Sequence, residues 1–115
     1  MRKPAKEAQI LICVKYPGEE PRVEPLFDNT LAAFQEAVGG YIEAVTLCTD
    51  LVLICNEEGR IRGLPYNTTI CDCQFYGPVL AVGTKGVEFA SLKAHNIPMV
   101  LTLLAGDQED ERCED

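Results

Sequence analysis

The chain has 115 residues, with 18 acidic against 10 basic side chains and a formal net charge of −8. That is one domain's length, enough to bury about two-thirds of the surface an unfolded chain exposes, so a hydrophobic core forms without disulfides or metals. The acidity argues against binding to duplex nucleic acid and to anionic membrane surfaces, both of which are held by cations.

Residues 1–8 are expected to form an N-terminal arm, residues 9–105 a single α+β domain and residues 106–115 an acidic, disordered tail. The domain opens with Gln9 to Tyr16, a β-branched, alternating run that ends at the turn dipeptide Pro17-Gly18. Arg22 to Phe27 reads as its hairpin partner. Asp28-Asn29-Thr30 supplies a helix N-cap, Leu31, Phe34 and Val38 recur at helical spacing, and Gly39 stands at the C-cap, predicting a helix over about 30–38. Tyr41 to Cys48 and Leu51 to Cys55 follow as strands. Asn56-Glu57-Glu58-Gly59 reads as a hairpin loop whose glycine takes a positive φ, with Arg60 to Gly63 returning antiparallel. Leu64-Pro65-Tyr66-Asn67 is expected to leave the sheet as a loop, because proline cannot donate to a ladder. Val79 to Val82 is a further strand, Glu88 to Ala94 a helical turn, and Ile97 to Leu104 either a short helix starting at Pro98, which is favoured, or a buried strand. These elements make a mainly antiparallel sheet with one helix packed on a face and a short C-terminal helical segment.

No apolar stretch approaches the ~20 residues of a membrane span, and the N-terminus lacks the pattern of a signal peptide, so the expected location is the cytoplasm. The six cysteines are then expected to be thiols, with Cys13, Cys48 and Cys55 buried among Ile, Leu and Val. Cys71-Asp72-Cys73 lacks the C-x-x-C spacing and His95 is the single histidine, so no metal site is expected. Plain strand alternation would put the two thiols of that pair on one face. Ser91 and His95 occur once each, four residues apart, and Glu57-Glu58 sits at a solvated tip, so neither a triad nor a tuned acid is in view. No catalytic residue and no cofactor is expected.

Binding candidates are better supplied. Glu43 interrupts an apolar strand and needs a partner if its face is covered, with Arg60 or Arg62 the cations nearest in sequence pattern. Asn56 either closes its own turn or contacts a base or ribose. Tyr66 and Asn67, held beside Pro65, offer an aromatic face and amide hydrogen bonds, or simply a packed surface loop. Lys85, in Thr84-Lys85-Gly86, adds a cation on a Gly-flanked turn.

Four segments carry a resemblance to a known family: Asp28-Asn29-Thr30-Leu31, Val38-Gly39-Gly40-Tyr41-Ile42-Glu43, Ile54-Cys55-Asn56-Glu57-Glu58-Gly59 and Gly63-Leu64-Pro65-Tyr66-Asn67. In this order, across about Ile10 to Leu92, they resemble small proteins catalogued as a domain of unknown function and encoded by phages, conjugative elements and Gram-positive bacteria. That family often carries a basic residue after the last asparagine, where this chain has Thr68. The resemblance implies service in phage–host conflict, as a homo-oligomer that binds a small nucleotide and withholds a host defence signal. Such a site is expected at a subunit interface, because one small domain has little room for a cavity of ~300 Å³. The alternative is an acidic interaction or inhibitor module acting on a host or phage enzyme. Charge placement separates the two. Six acidic residues and one arginine fall between Asp107 and Asp115, which leaves the body only −3 and room for a cationic pocket around Arg60, Arg62 and Lys85.

Overall fold

A computed structural model describes residues 9–26, 28–86 and 88–106. The expected N-terminal arm, Phe27 and all but the first residue of the expected tail lie outside the described residues. In chain order the elements are β1 (Ile10–Lys15), β2 (Arg22–Leu26), α1 (Leu31–Val38), β3 (Ile42–Cys48), β4 (Leu51–Asn56), β5 (Tyr66–Ile70), β6 (Cys73–Tyr76), β7 (Val79–Lys85), β8 (Glu88–Ala90) and α2 (Ile97–Ala105), the last entered through a 3-10 turn at Ala94–Asn96. The chain is an α+β domain built on an antiparallel sheet of order β2-β1-β7-β4-β3, with β8 added beside the far end of β7 and β5–β6 as a separate two-stranded sheet.

The central strands explain their own sequence. Every residue of β4 is buried, and alternate side chains enter two different cores. Leu51, Leu53 and Cys55 join Cys13, Val79, Ala81, Ile70, Phe75, Val100 and Leu104 on the face covered by α2 and the β5–β6 hairpin. Val52 and Ile54 join Ile12, Val14, Leu80, Val82, Phe34 and Val38 on the face covered by α1. A strand covered on both sides must read as a continuous apolar run, as Leu51 to Cys55 does. Helix α1 forms as its caps dictate: the Thr30 hydroxyl accepts from the Ala33 amide at 3.1 Å, and Gly39 closes it in the left-handed conformation.

Three local expectations are corrected. Residues 57–63 do not return as a strand. They coil, with the Arg62 amide donating to the Glu58 carbonyl at 2.8 Å and Leu64 to Gly59 at 2.9 Å. Ile61, the one apolar side chain there, is 87% exposed, so no burial rewards an extended conformation. Gly59 is not a positive-φ residue. It is needed for space, since a Cβ there would lie 2.5 Å from the Tyr76 carbonyl oxygen.

Tyr66-Asn67 is not a loop but the start of β5, paired with β6 from Tyr66↔Tyr76 to Ile70↔Cys73. The two-residue connection Cys71-Asp72 has φ of 52° and 68°, the doubly left-handed geometry of a type I′ hairpin turn. Cys71 therefore lies in the turn and Cys73 in the strand, so simple alternation does not relate them. Finally, Glu88–Ala90 is a strand rather than a helical turn, pairing with Gly83–Lys85. The two residues after it are held by β1, whose Leu11 amide donates to the Ser91 hydroxyl and whose Leu11 carbonyl accepts from the Leu92 amide, each at 2.8 Å. Unpaired backbone at the start of β1 is satisfied that way, and a lone helical turn offers nothing equivalent.

Candidate functional site

The end of the sheet where β3 and β4 meet the 57–63 turn faces the β5–β6 hairpin across a groove of about 240 Å³. Glu43, Asn56, Glu57, Arg60, Gln74 and Tyr76 are in its polar lining, with Val45 and Phe75 beneath. Its walls are positioned by backbone bonds. The Glu57 amide donates to the Tyr41 carbonyl at 2.8 Å, continuing the β3–β4 ladder into the turn, and Gly59 lets the turn close directly on the Tyr76 backbone. Arg60 places its guanidinium over the Tyr76 ring, 5.8 Å from the centroid, and Tyr66 meets the same ring edge-on at 5.7 Å. Tyr66, Tyr76 and Arg60 thus form a short ladder along one side of the groove.

Among the described residues neither Glu43 nor Arg60 is in an ion pair. The face that carries Glu43 is covered at Val45 and Leu47, while Glu43 itself remains exposed at the groove. The carboxylate is felt all the same. Burial, with the Glu43 charge adding to it, pushes the Cys55 thiol up to about 11. Cys55 is buried there as a neutral thiol, not poised as a thiolate.

Of the candidate binding residues, the structure brings together Glu43, Asn56 and Arg60, with Tyr66 beside them through Tyr76. Asn56 is a structural residue: its side-chain amide donates to the Val38 carbonyl at 3.0 Å and its carbonyl oxygen accepts from the Glu58 amide at 2.7 Å. It joins the end of α1 to the turn, and Gly40 is required beside it because a Cβ would sit 2.8 Å from the Asn56 nitrogen. Asn67 is buried away from the groove, donating to the carbonyls of Lys15 at 2.8 Å and Gly77 at 2.7 Å and accepting from the Lys15 ammonium at 3.0 Å. Pro65 precedes β5 and uses its carbonyl to accept from Gly77. Arg62 pairs with Glu58 at 3.2 Å, one helical turn away. Lys85 is at the opposite end of the sheet: Cys55 is level with Val79, and six more residues of β7 put Lys85 about 20 Å off. It lines a second, larger groove of about 550 Å³ with Lys93, which is tied to Asp50 at 3.3 Å. Lys93, with Asn96 assisting, holds the Asp50 carboxyl below the usual range. No single pocket therefore gathers Arg60, Arg62 and Lys85.

Sequence reasoning missed Tyr76, Gln74 and Lys15. The first two follow from the unread hairpin. Lys15 ends β1 on a covered face, where burial lowers its pKa against the opposing pull of Glu20 and Glu19. Its position at the end of an alternating strand was the available signal. Among the described residues no cluster of three His, Cys, Asp or Glu side chains is placed to hold a metal, and the five described cysteines are unpaired thiols, Cys13 and Cys55 buried as expected but Cys48 exposed, because it ends the edge strand β3. Nor is any described helix long and apolar enough to cross a membrane.

Residues 10–105 match the family model described as a domain of unknown function, DUF3846. The chain belongs to the DUF3846 family. No curated protein and no solved structure matches it. The matched span runs from the first residue of β1 to the last of α2, so both cores and the groove are parts of the DUF3846 domain itself.

Proposed function

We propose that this DUF3846 protein is a non-catalytic binding protein, cytoplasmic and borne by a phage or other mobile element, that sequesters a small nucleotide-like ligand in the groove between β3, the 57–63 turn and β6. One observation carries the reading: a carboxylate and a guanidinium that have no ion-pair partner among the described residues, Glu43 and Arg60, line the same groove beside an aromatic ring. A carboxylate accepts two hydrogen bonds side by side, which suits adjacent N–H donors on a base such as guanine. A guanidinium over a ring offers a face for stacking and an edge for a phosphate or carbonyl oxygen. Volume sets the size. At about 240 Å³ this groove falls below the roughly 300–1,000 Å³ of drug-sized sites, so it has room for a base or nucleoside and not for a dinucleotide. Of the two thiols in the lining, the buried Cys55 is held neutral, and no histidine lines the groove beside the exposed Cys73 to act as its base.

The test is a thermal-shift panel of nucleosides, mononucleotides and cyclic nucleotides, with native mass spectrometry of gently purified protein for any retained ligand. A bound nucleotide stabilises by about 2.7 kcal/mol at a hundredfold excess over its Kd. Arg60→Ala and Glu43→Gln abolish that shift while leaving the unliganded Tm in place, because both side chains are exposed. A flat panel with no retained mass overturns the reading.

A second reading, an acidic interaction or inhibitor module acting on a host or phage enzyme, is favoured by the apolar side chains beside the same turn: Ile61 is 87% exposed and Tyr41 68%. On this reading Ile61→Asp abolishes partner inhibition, and no nucleotide shift is seen in the parent protein.

A further inference from the structure

The two edges of the main sheet are built differently. At β2 the edge carries Pro25, which has no N–H to offer, and Arg22 is clasped between Glu19 and Glu24. Proline and charges are the devices that keep an edge from recruiting another strand. At the other edge β3 runs for seven residues, Ile-Glu-Ala-Val-Thr-Leu-Cys, with one charge and no proline. Glu43, Ala44, Thr46 and Cys48 are exposed along it.

The backbone direction at that edge is fixed by the ladder to β4. Tyr41 lies opposite Glu57 and accepts its amide, so Tyr41, Glu43 and Val45 turn their peptide groups toward β4. Ile42, Ala44 and Thr46 consequently turn theirs outward. An antiparallel copy of the same strand, centred on Val45, sets Ala44 opposite Thr46 of the second chain and Val45 opposite Val45. Ala44 and Thr46 are then hydrogen-bonded pairs and Val45 the non-bonded pair on the axis, which is the alternation the outward groups require. Side chains agree with the backbone. Ala44 and Thr46 are small, and Glu43 faces Leu47 of the second chain instead of its own copy, so no like charges meet directly.

We infer that β3 is a self-pairing edge and that the protein is a two-fold dimer whose main sheet runs continuously through β3 of both chains. The pairing goes beyond the ligand reading and stands on the edge alone. It does bear on the groove, because Glu43 and Val45 belong to both. The face carrying Glu43, Val45 and Leu47 is continued by the same residues of the second copy. Two grooves then open onto one surface across the axis, and together they reach the size that this groove lacks by itself.

Light scattering on sized fractions of the full chain, taken across a wide range of concentration, tests this. A dimer mass is expected, and Ala44→Pro reduces it to monomer with unchanged circular dichroism, since the lost N–H points away from β4. Amide exchange guards against a variant that merely unfolds: in the parent protein the Ala44 and Thr46 amides are protected in the dimer and lose protection on dilution, while Glu43 and Val45 stay protected. Val45→Cys cross-links two chains at position 45 under mild oxidation, as the axial Cα atoms stand about 4.5 Å apart. A monomer at every concentration, or a dimer with fast-exchanging Ala44 and Thr46 amides, overturns the inference. A dimer that never cross-links at position 45 overturns the register. None of these outcomes touches the nucleotide shift, which one chain reports by itself.

Discussion

Asn67 and Lys15 illustrate how a buried polar side chain is kept. The amide of Asn67 spends both donor hydrogens on the carbonyls of Lys15 and Gly77 and gives its oxygen to the Lys15 ammonium. The ammonium has one further contact, the Tyr16 carbonyl at 3.3 Å. Removing the amide strands two carbonyls and most of a charge in a place with little water. Asn67→Ala is therefore expected to destabilise by about 2–4 kcal/mol, measured by urea unfolding, because each buried group left unsatisfied costs its desolvation penalty. Read from sequence, Asn67 was a ligand candidate, and the two roles give opposite results. A structural Asn67 lowers the unfolding midpoint and keeps the nucleotide-induced shift. A ligand-binding Asn67 would lose the shift and keep the midpoint.

At the scale of elements, the hairpin β5–β6 is the place where local sequence and structure disagree. Both turn residues, Cys71 and Asp72, hold positive φ, a region that side chains other than glycine and asparagine enter at a cost. Replacing them with the pair that this turn favours, Cys71→Asn with Asp72→Gly, is expected to stabilise the protein by about 1 kcal/mol, checked as a rise in the urea midpoint. The same mismatch explains what was legible beforehand. Strands β1, β2, β3, β4 and β7 and helix α1 announce themselves through alternation, apolar runs and caps, because burial and capping act on neighbours in sequence, whereas the apolar run of α2, without a side-chain cap, reads equally as a buried strand. The hairpin was hidden because a Cys-Asp turn lacks the usual signal and because Pro65 resembles a loop marker, although it stands one residue before the strand it introduces. The coil at 57–63 is decided by a distant partner, the Tyr76 backbone, and β8 is a three-residue strand that pairs back on β7, too short to show alternation. The site followed suit. Glu43 and Arg60 were named from local pattern, but Tyr76 and Gln74 became visible only once β6 was paired.

At the scale of the whole molecule, charge makes the dimer and the inhibitor readings separable. Each chain carries −8, so joining two copies through β3 brings like net charges together, and the contacts that hold them are main-chain hydrogen bonds and apolar side chains that salt does not weaken. Added salt screens the repulsion over a Debye length of about 8 Å at physiological ionic strength and leaves the attraction in place. Self-association is therefore expected to tighten as ionic strength rises, seen as a fall in the dimer dissociation constant by sedimentation. An acidic module steered onto a basic enzyme behaves the opposite way: screening removes the attraction, slows encounter and weakens the complex. Charge reversal sharpens the contrast. Glu43→Lys leaves the backbone pairing at β3 intact and lowers the repulsion between copies, so the dimer should persist with a shallower salt dependence, whereas an interface held by the carboxylate of Glu43 would come apart in the same variant.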